Sequence, residues 1–188
     1  LQKFLANLGL ASRREIEKWI EQGRIKVNGK VAELGFKVSS QDRISVDGKF
    51  IQQSNAKFAP SPKVLLYNKP EGQLCTLSDP EGRHTVFETV PKLRVGRWVM
   101  VGRLDMNTMG LLMFTNHGEL AHRLMHPSYE IEREYAVRVL GEVAPSALTK
   151  LRTGVQLDDG PARFNSLHRV GGEGANQWYH VTLNEGRN

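Results

Sequence analysis

The run Gly102-Arg103-Leu104-Asp105, continuing into Asn107-Thr108-Met109-Gly110-Leu111-Leu112, sets one carboxylate beside one guanidinium in a Gly-bounded turn that leads into an apolar strand. A carboxylate held there, next to a fixed positive charge and walled by Leu104, Leu111 and Leu112, is expected to be anionic with water partly excluded. That is the condition of a nucleophile or of an electrostatic stabiliser. The same residues also fit a plain turn, in which Asp105 bonds its own backbone and Arg103 is a surface partner. The turn alone leaves both readings open.

The elements around it come in two sets. In the first, Phe4, Leu5 and Leu8 have helical spacing up to Gly9, and Ser12-Arg13-Arg14-Glu15 predicts a capping box opening a second helix with Ile16, Trp19 and Ile20 on its apolar stripe. Two hairpin patterns follow, Ile25 to Val31 through Asn28-Gly29 and Arg43 to Lys49 through Asp47-Gly48. Residues 52–62 are polar with two Pro and read as a linker. The second set opens with the buried strand Val64 to Tyr67 and a turn at Lys69-Pro70-Glu71-Gly72. After the Asp105 turn come strand 111–115, a helix stopped at His126-Pro127, and an alternating strand through Arg133, Tyr135, Val137 and Val139. A helix from Pro145 to Arg152 follows, then a hairpin at Asp158-Asp159-Gly160 running on into 162–167, and a last strand with Trp178 and Tyr179 on opposite faces. Strands outnumber helices and most connections are hairpin-like, so the fold class is α+β with a mixed or antiparallel sheet.

At 188 residues the chain can bury a real core in one large or two small domains. No apolar run has the length of a membrane span and no charged-then-apolar leader opens the chain. Cys75 is the single cysteine, so no intrachain disulfide framework forms and a reducing cytoplasm is expected. The net charge of +6 is unevenly placed: residues 1–57 hold 11 Lys and Arg against 6 Asp and Glu, while residues 58–188 hold 15 against 14. That distribution describes a basic anchoring module joined to a nearly neutral body. Arg13 and Arg14 stand in the first helical turn, where they work slightly against the dipole unless an anion compensates. With Lys3, Arg24, Lys26 and Lys30 framing the same surface, they are the candidate phosphate contacts. The chain opens at Leu1 and ends at Glu185-Gly186-Arg187-Asn188 directly after a strand-like run; both ends read as cut, and a fragment is expected.

Leu5-x-x-x-Gly9-x-x-Ser12-Arg13-Arg14-Glu15, with Ile20-x-x-Gly23-x-Ile25-x-Val27-Asn28-Gly29, resembles the alpha-L-type RNA-binding domain first known from ribosomal small-subunit protein four. The likeness spans residues 1–51 and implies a grip on structured RNA through shape and backbone. Lys69-Pro70-Glu71-Gly72, the Asp105 run, His126-Pro127, Arg133-Glu134-Tyr135 and Glu185-Gly186-Arg187-Asn188 resemble, in order and spacing, the ribosomal pseudouridine synthases of the small-subunit synthase A branch. Leu74-Cys75-Thr76, Asp79 to Arg83, and Gly171 to Tyr179 are most similar to members of that branch that act on the large subunit. The resemblance implies a catalytic domain at 63–188, incomplete at its C-terminus, that isomerises a uridine in 23S-type ribosomal RNA without cofactor or metal. It puts the nucleophile on Asp105, and makes Arg103 a candidate for filling the vacated stack or holding a phosphate. Tyr135 becomes a candidate for stacking on the uracil, although on its strand it also reads as core. Lys69 joins the RNA-contact candidates, or only fixes its own turn. A monomer is expected, with large-subunit ribosomal RNA as partner and no membrane. Because the family continues beyond the position of Asn188 through a stretch that closes the site, weak or no turnover is expected of these 188 residues.

Other signals carry less. His122 and His126 have ligand spacing on a helix but no third ligand and no intervening Glu. Gly171-Gly172-Glu173-Gly174 lacks the Lys and Ser/Thr of a phosphate loop and reads as a hairpin. Cys75, without a cationic neighbourhood, reads as structural. A non-catalytic RNA-binding or ribosome-assembly factor is the main alternative function. A glycosidase would need a second positioned acid that the spacing of Glu71 and Glu134 does not demand.

Overall fold

The computed structural model describes residues 1–51 and 61–186; most of the expected linker, residues 52–60, lies outside them. The chain forms two compact units, Leu1–His122 and Arg123–Asn188.

The first unit begins with helices α1 (Gln2–Asn7) and α2 (Arg13–Glu21). Ser12 caps α2 by accepting from the Glu15 N–H at 3.1 Å, as predicted. The return half of the expected capping box is replaced: Glu15 Oε1 accepts from Trp19 Nε1 at 3.2 Å, one turn further on. Strands β1 (Ile25–Val27), β2 (Lys30–Val31), β3 (Ile44–Val46) and β4 (Lys49–Phe50) form an antiparallel sheet in the order β2-β1-β3-β4. Both of its hairpins turn on residues of positive φ, Asn28-Gly29 and Asp47-Gly48, the chemistry read from the sequence. Leu5, Ile16, Ile20, Ile25, Val27 and Ile44 make its core.

The same unit continues with β5 (Val64–Lys69), a short helix α3 (Val86–Thr89), β6 (Val99–Val101) and β7 (Gly110–Thr115), the strands pairing antiparallel as β5-β7-β6. Phe114, Val86, Val90 and Leu112 are buried together, with Leu65, Tyr67, Phe87 and Trp98 against them. Neither α3 nor β6 was expected. At the start of α3, Glu88 reaches back and accepts from both the N–H and the hydroxyl of Thr85 at 3.2 Å. The division into units does not coincide with residues 52–62, because the first module meets the later segment closely. Gly9 lies against the backbone of Gly96, and Lys3 stands 3.8 Å from Glu119.

The boundary of the second unit falls inside α4 (Gly118–Met125). Beyond it, β8 (Arg133–Leu140), α5 (Pro145–Thr153), β9 (Val155–Leu157), β10 (Gly160–Ala162), β11 (Ser166–Gly171) and β12 (Asn176–Leu183) follow. β12 is the centre of an antiparallel sheet β11-β12-β8 and β9 pairs with β10. The expected single run from 162 to 167 is broken at Phe164, whose N–H is drawn to Leu151 O at 3.0 Å. Trp178 is exposed and Tyr179 buried, on opposite faces as predicted; Tyr179 packs with Leu167 and Val181.

Candidate active site

Asp105 sits in the loop between β6 and β7, entered through Gly102 at φ +80°. Its side chain is exposed, whereas the backbone around it is tied from several directions. Thr108 N–H closes the turn on Asp105 O at 3.0 Å, and Gly72 N–H donates to Met106 O at 2.8 Å. Leu104 N–H donates to Cys75 Sγ at 3.4 Å, so the lone thiol is an anchor for the loop.

The strongest tie is Lys69. Its alternation partners on β5, Leu65 and Tyr67, face the core, and Lys69 continues that face at 0% exposure, paired in register with Gly110. Its ammonium donates to Pro70 O at 3.0 Å, Asp105 O at 3.0 Å, Met106 O at 3.2 Å and Thr108 O at 2.8 Å. This all-acceptor shell suits an –NH3⁺ group, which has no acceptor and three donors, one of them shared between two of the four carbonyls. Three of the four carbonyls belong to the loop that carries Asp105. Lys69 is therefore not an RNA contact, which corrects the sequence expectation: a side chain without solvent access cannot reach a phosphate, and its charge is used inside the protein. The spacing Leu65, Tyr67, Lys69 carried the signal, since an inward lysine needs a cage of acceptors.

The expected apolar wall is also rearranged. Leu112 is buried on the core side of β7, Leu111 is exposed on the opposite face, and Leu104 packs partly against the core. Within this unit Asp105 is thus open to water. Arg103 is exposed two residues before it.

Among the first-module cations, Arg13, Arg14, Lys26 and Lys30 are exposed. Lys3 is exposed too and shares its charge with Glu119. Arg24 departs from expectation: Nε and Nη2 donate to Asp47 at 2.9 and 2.6 Å, and its guanidinium lies 4.8 Å from the centroid of the Trp19 ring. The bond from Arg24 holds the Asp47 carboxyl below the ordinary carboxylate range. With its fork engaged in this way, Arg24 braces the sheet against α2, and the pair with Asp47 stays partly open to solvent.

In the second unit, Tyr135 is half-buried against the Leu167–Tyr179–Val181 core, opposite Val181 in the ladder. Two positions before it, Arg133 donates to Leu124 O at 3.1 Å, Asn184 O at 3.1 Å and Ile131 O at 3.2 Å. It thereby ties the end of α4 to the end of β12, a role the sequence reading did not anticipate.

The RNA pseudouridylate synthase family model matches residues 63–188, two thirds of the sequence, and the S4 domain model matches residues 1–44. The chain belongs to the RNA pseudouridylate synthase family. Three similar relatives, from Pseudomonas aeruginosa, Salmonella typhimurium and Escherichia coli K12, are each named ribosomal large subunit pseudouridine synthase B and are each 58% identical. In all three the match takes in 100% of this chain. It takes in 49% of the Pseudomonas protein and 65% of each of the other two, so the chain spans about half to two thirds of their length. A solved pseudouridylate synthase structure superimposes with a TM-score of 0.63 at 25% identity, covering 100% of this chain and 78% of that one. The pseudouridylate synthase region holds Asp105, Lys69, Cys75 and Tyr135, and the S4 region holds Arg13, Arg14 and Lys26.

Proposed function

We propose that this pseudouridylate synthase isomerises a uridine of large-subunit ribosomal RNA, with Asp105 as its nucleophile. The C1′–N1 bond breaks, the base turns, and a C1′–C5 bond forms while the proton of C5 is exchanged for one on N1. The formula is unchanged, so the reaction needs no redox partner and no external group. Ring addition and elimination at the sugar both require an anionic oxygen at the sugar–base junction. A uridine reaches a loop-borne carboxylate only after leaving its stack. Arg103 then occupies the vacated space or holds a flanking phosphate, and Tyr135 stacks on the uracil. Lys3, Arg13, Arg14, Arg24, Lys26 and Lys30 grip the RNA backbone, with domain limits at 1–51 and 63–188. The protein works as a monomer in the cytoplasm.

The observation that carries this reading is the contrast at Asp105: its carboxylate is open to a substrate while its backbone is pinned by a buried ammonium. The test is Asp105→Asn in the full-length gene product, read by release of tritium from RNA labelled at uridine C5. Turnover falls at least about a thousandfold, while RNA affinity changes less than about threefold. An Asn variant that still releases tritium overturns the assignment, and a wild-type protein that binds RNA without releasing any is the assembly factor.

A further inference from the structure

Within the first unit, a cleft of about 310 Å³ opens between the start of α2, at Ala11 and Ser12, and a later segment that contributes Phe87, Val90, Arg97 and Trp98. This volume lies at the lower end of the roughly 300–1,000 Å³ found for small-molecule sites. The two sides are fixed to each other by backbone. Gly9 adopts φ +82°, and a Cβ there would stand 2.9 Å from the carbonyl oxygen of Gly96, the residue before Arg97. One wall is flat and rigid, because Trp98 Nε1 donates to Pro91 O at 2.7 Å and the ring rests against the core of the unit.

The charge in this cleft is unbalanced. Arg97 is half-buried, and Lys92 is exposed at the edge. Among the described residues neither Arg97 nor Arg13 has an ion pair or hydrogen bond. Burial, and after it the nearby Arg13, weaken the hold of Arg97 on its proton. Arg13 directly follows Ser12, which lines the cleft, and its charge is felt at Arg97; two guanidiniums that feel one another repel, and an anion between them reverses the sign of that interaction.

We infer that this cleft holds one nucleotide of the RNA substrate, its phosphate between Arg13 and Arg97 and its base against Trp98. The inference rests on the reading of RNA as substrate and adds a contact made jointly by the first module and the 63–122 segment. A phosphodiester carrying a flat base matches both halves of the cleft, the cations and the aromatic wall. Neither residue alone marks the site, since Arg97 lies far in sequence from the basic module.

The test measures binding of the full chain to deproteinised large-subunit ribosomal RNA across a salt series, with R97Q, R13Q, the double variant and R97K. R97Q weakens binding about tenfold. It also lowers the slope of log affinity against log salt by about 0.7–0.9. The double variant binds at most about twofold more weakly than the worse single one, because both arginines hold the same phosphate. R97K keeps the slope and loses part of the affinity, lacking the fork. Thermal melting is unchanged in R97Q. Unchanged affinity and slope in R97Q, full additivity in the double variant, or a lowered melting temperature each overturn the inference. If the wild-type protein binds no RNA, the reading of RNA as substrate falls as well. If it binds and R97Q makes no difference, only the cleft is lost.

Discussion

Replacing Lys69 with Met keeps the length of the side chain and deletes its ammonium. Four carbonyls lose a donor. Asp105 O retains Thr108 N–H and Met106 O retains Gly72 N–H, so the oxygens of Pro70 and Thr108 suffer most. A buried carbonyl left unsatisfied costs about 1–3 kcal/mol, which gives about 2–6 kcal/mol for two. Relief of a buried charge and added apolar burial offset part of this, leaving a net loss of about 2–4 kcal/mol. For a chain of this size that corresponds to a fall in melting temperature of roughly 5–15 °C. The loop regains part of that loss by turning its carbonyls toward water, which displaces Asp105. A displacement of about 1 Å at a reacting group costs about a hundredfold in rate. The assay, on the full-length gene product, is tritium release at saturating RNA, together with thermal melting and RNA affinity against salt. The expected result is a hundredfold lower kcat, a lower melting temperature, and unchanged affinity and salt slope. Weakened RNA binding with a shallower salt slope would mean that Lys69 meets phosphate, and unchanged kcat and melting would mean that the cage is dispensable.

Two further predictions concern other ties. Arg133→Met removes three carbonyl contacts at the ends of α4 and β12; it costs about 2–3 kcal/mol, read as faster hydrogen exchange in β12 with little change in RNA affinity. Arg83 donates Nε and Nη2 to Asp79 at 3.0 and 2.8 Å, and with its own N–H holds that carboxyl at about 2. A carboxyl whose folded pKa is depressed contributes stability that is present above its unfolded value, about 3.9, and is lost as pH falls through the folded value. The 79–83 loop therefore keeps its Arg83 side-chain NMR signal at pH 3 and loses it near pH 2, and Asp79→Asn abolishes that transition.

Local rules made much of this structure legible. The Asn28-Gly29 and Asp47-Gly48 hairpins follow from residues that tolerate positive φ, and the opposite burial of Trp178 and Tyr179 follows from strand periodicity. The loop of Asp105 was legible as a motif, but its support was not. Cys75 is 29 positions from Leu104, and Lys69 is 36 from Asp105. The β5 alternation marks Lys69 as inward, and fixing its own turn was one of its two readings, but neither its bonds to the Asp105 loop nor the thiol as an acceptor can be seen before β5 and β7 have paired. Arg24 shows the same limit. Its bond to Asp47, 23 positions on, is invisible until the two hairpins have folded together. Surface charges are the least legible class, since an arginine can brace a sheet or face solvent with equal propensity. Arg97 remained unread because it lies outside the basic module.

With Asp105 as the proposed nucleophile, its exposure determines what substrate binding has to accomplish. A carboxylate in water interacts with a partner charge at 4 Å by only about 1 kcal/mol, and by several-fold more once the medium around it is less polar. The sequence alone pointed to Leu104, Leu111 and Leu112 as the source of that medium, yet in the folded unit they face the core or stand apart. The RNA is then left to displace the water, and the energy to do so comes from contacts remote from the reacting base, as when binding energy is used to desolvate a reacting centre. On this account the basic first module contributes to rate as well as to affinity. Neutralising Arg13 and Arg14 lowers kcat at saturating RNA only to the extent that their contacts persist while Asp105 is being desolvated. The pinned loop makes this arrangement workable, because the carboxylate that the RNA must cover is already at a fixed position before the RNA arrives.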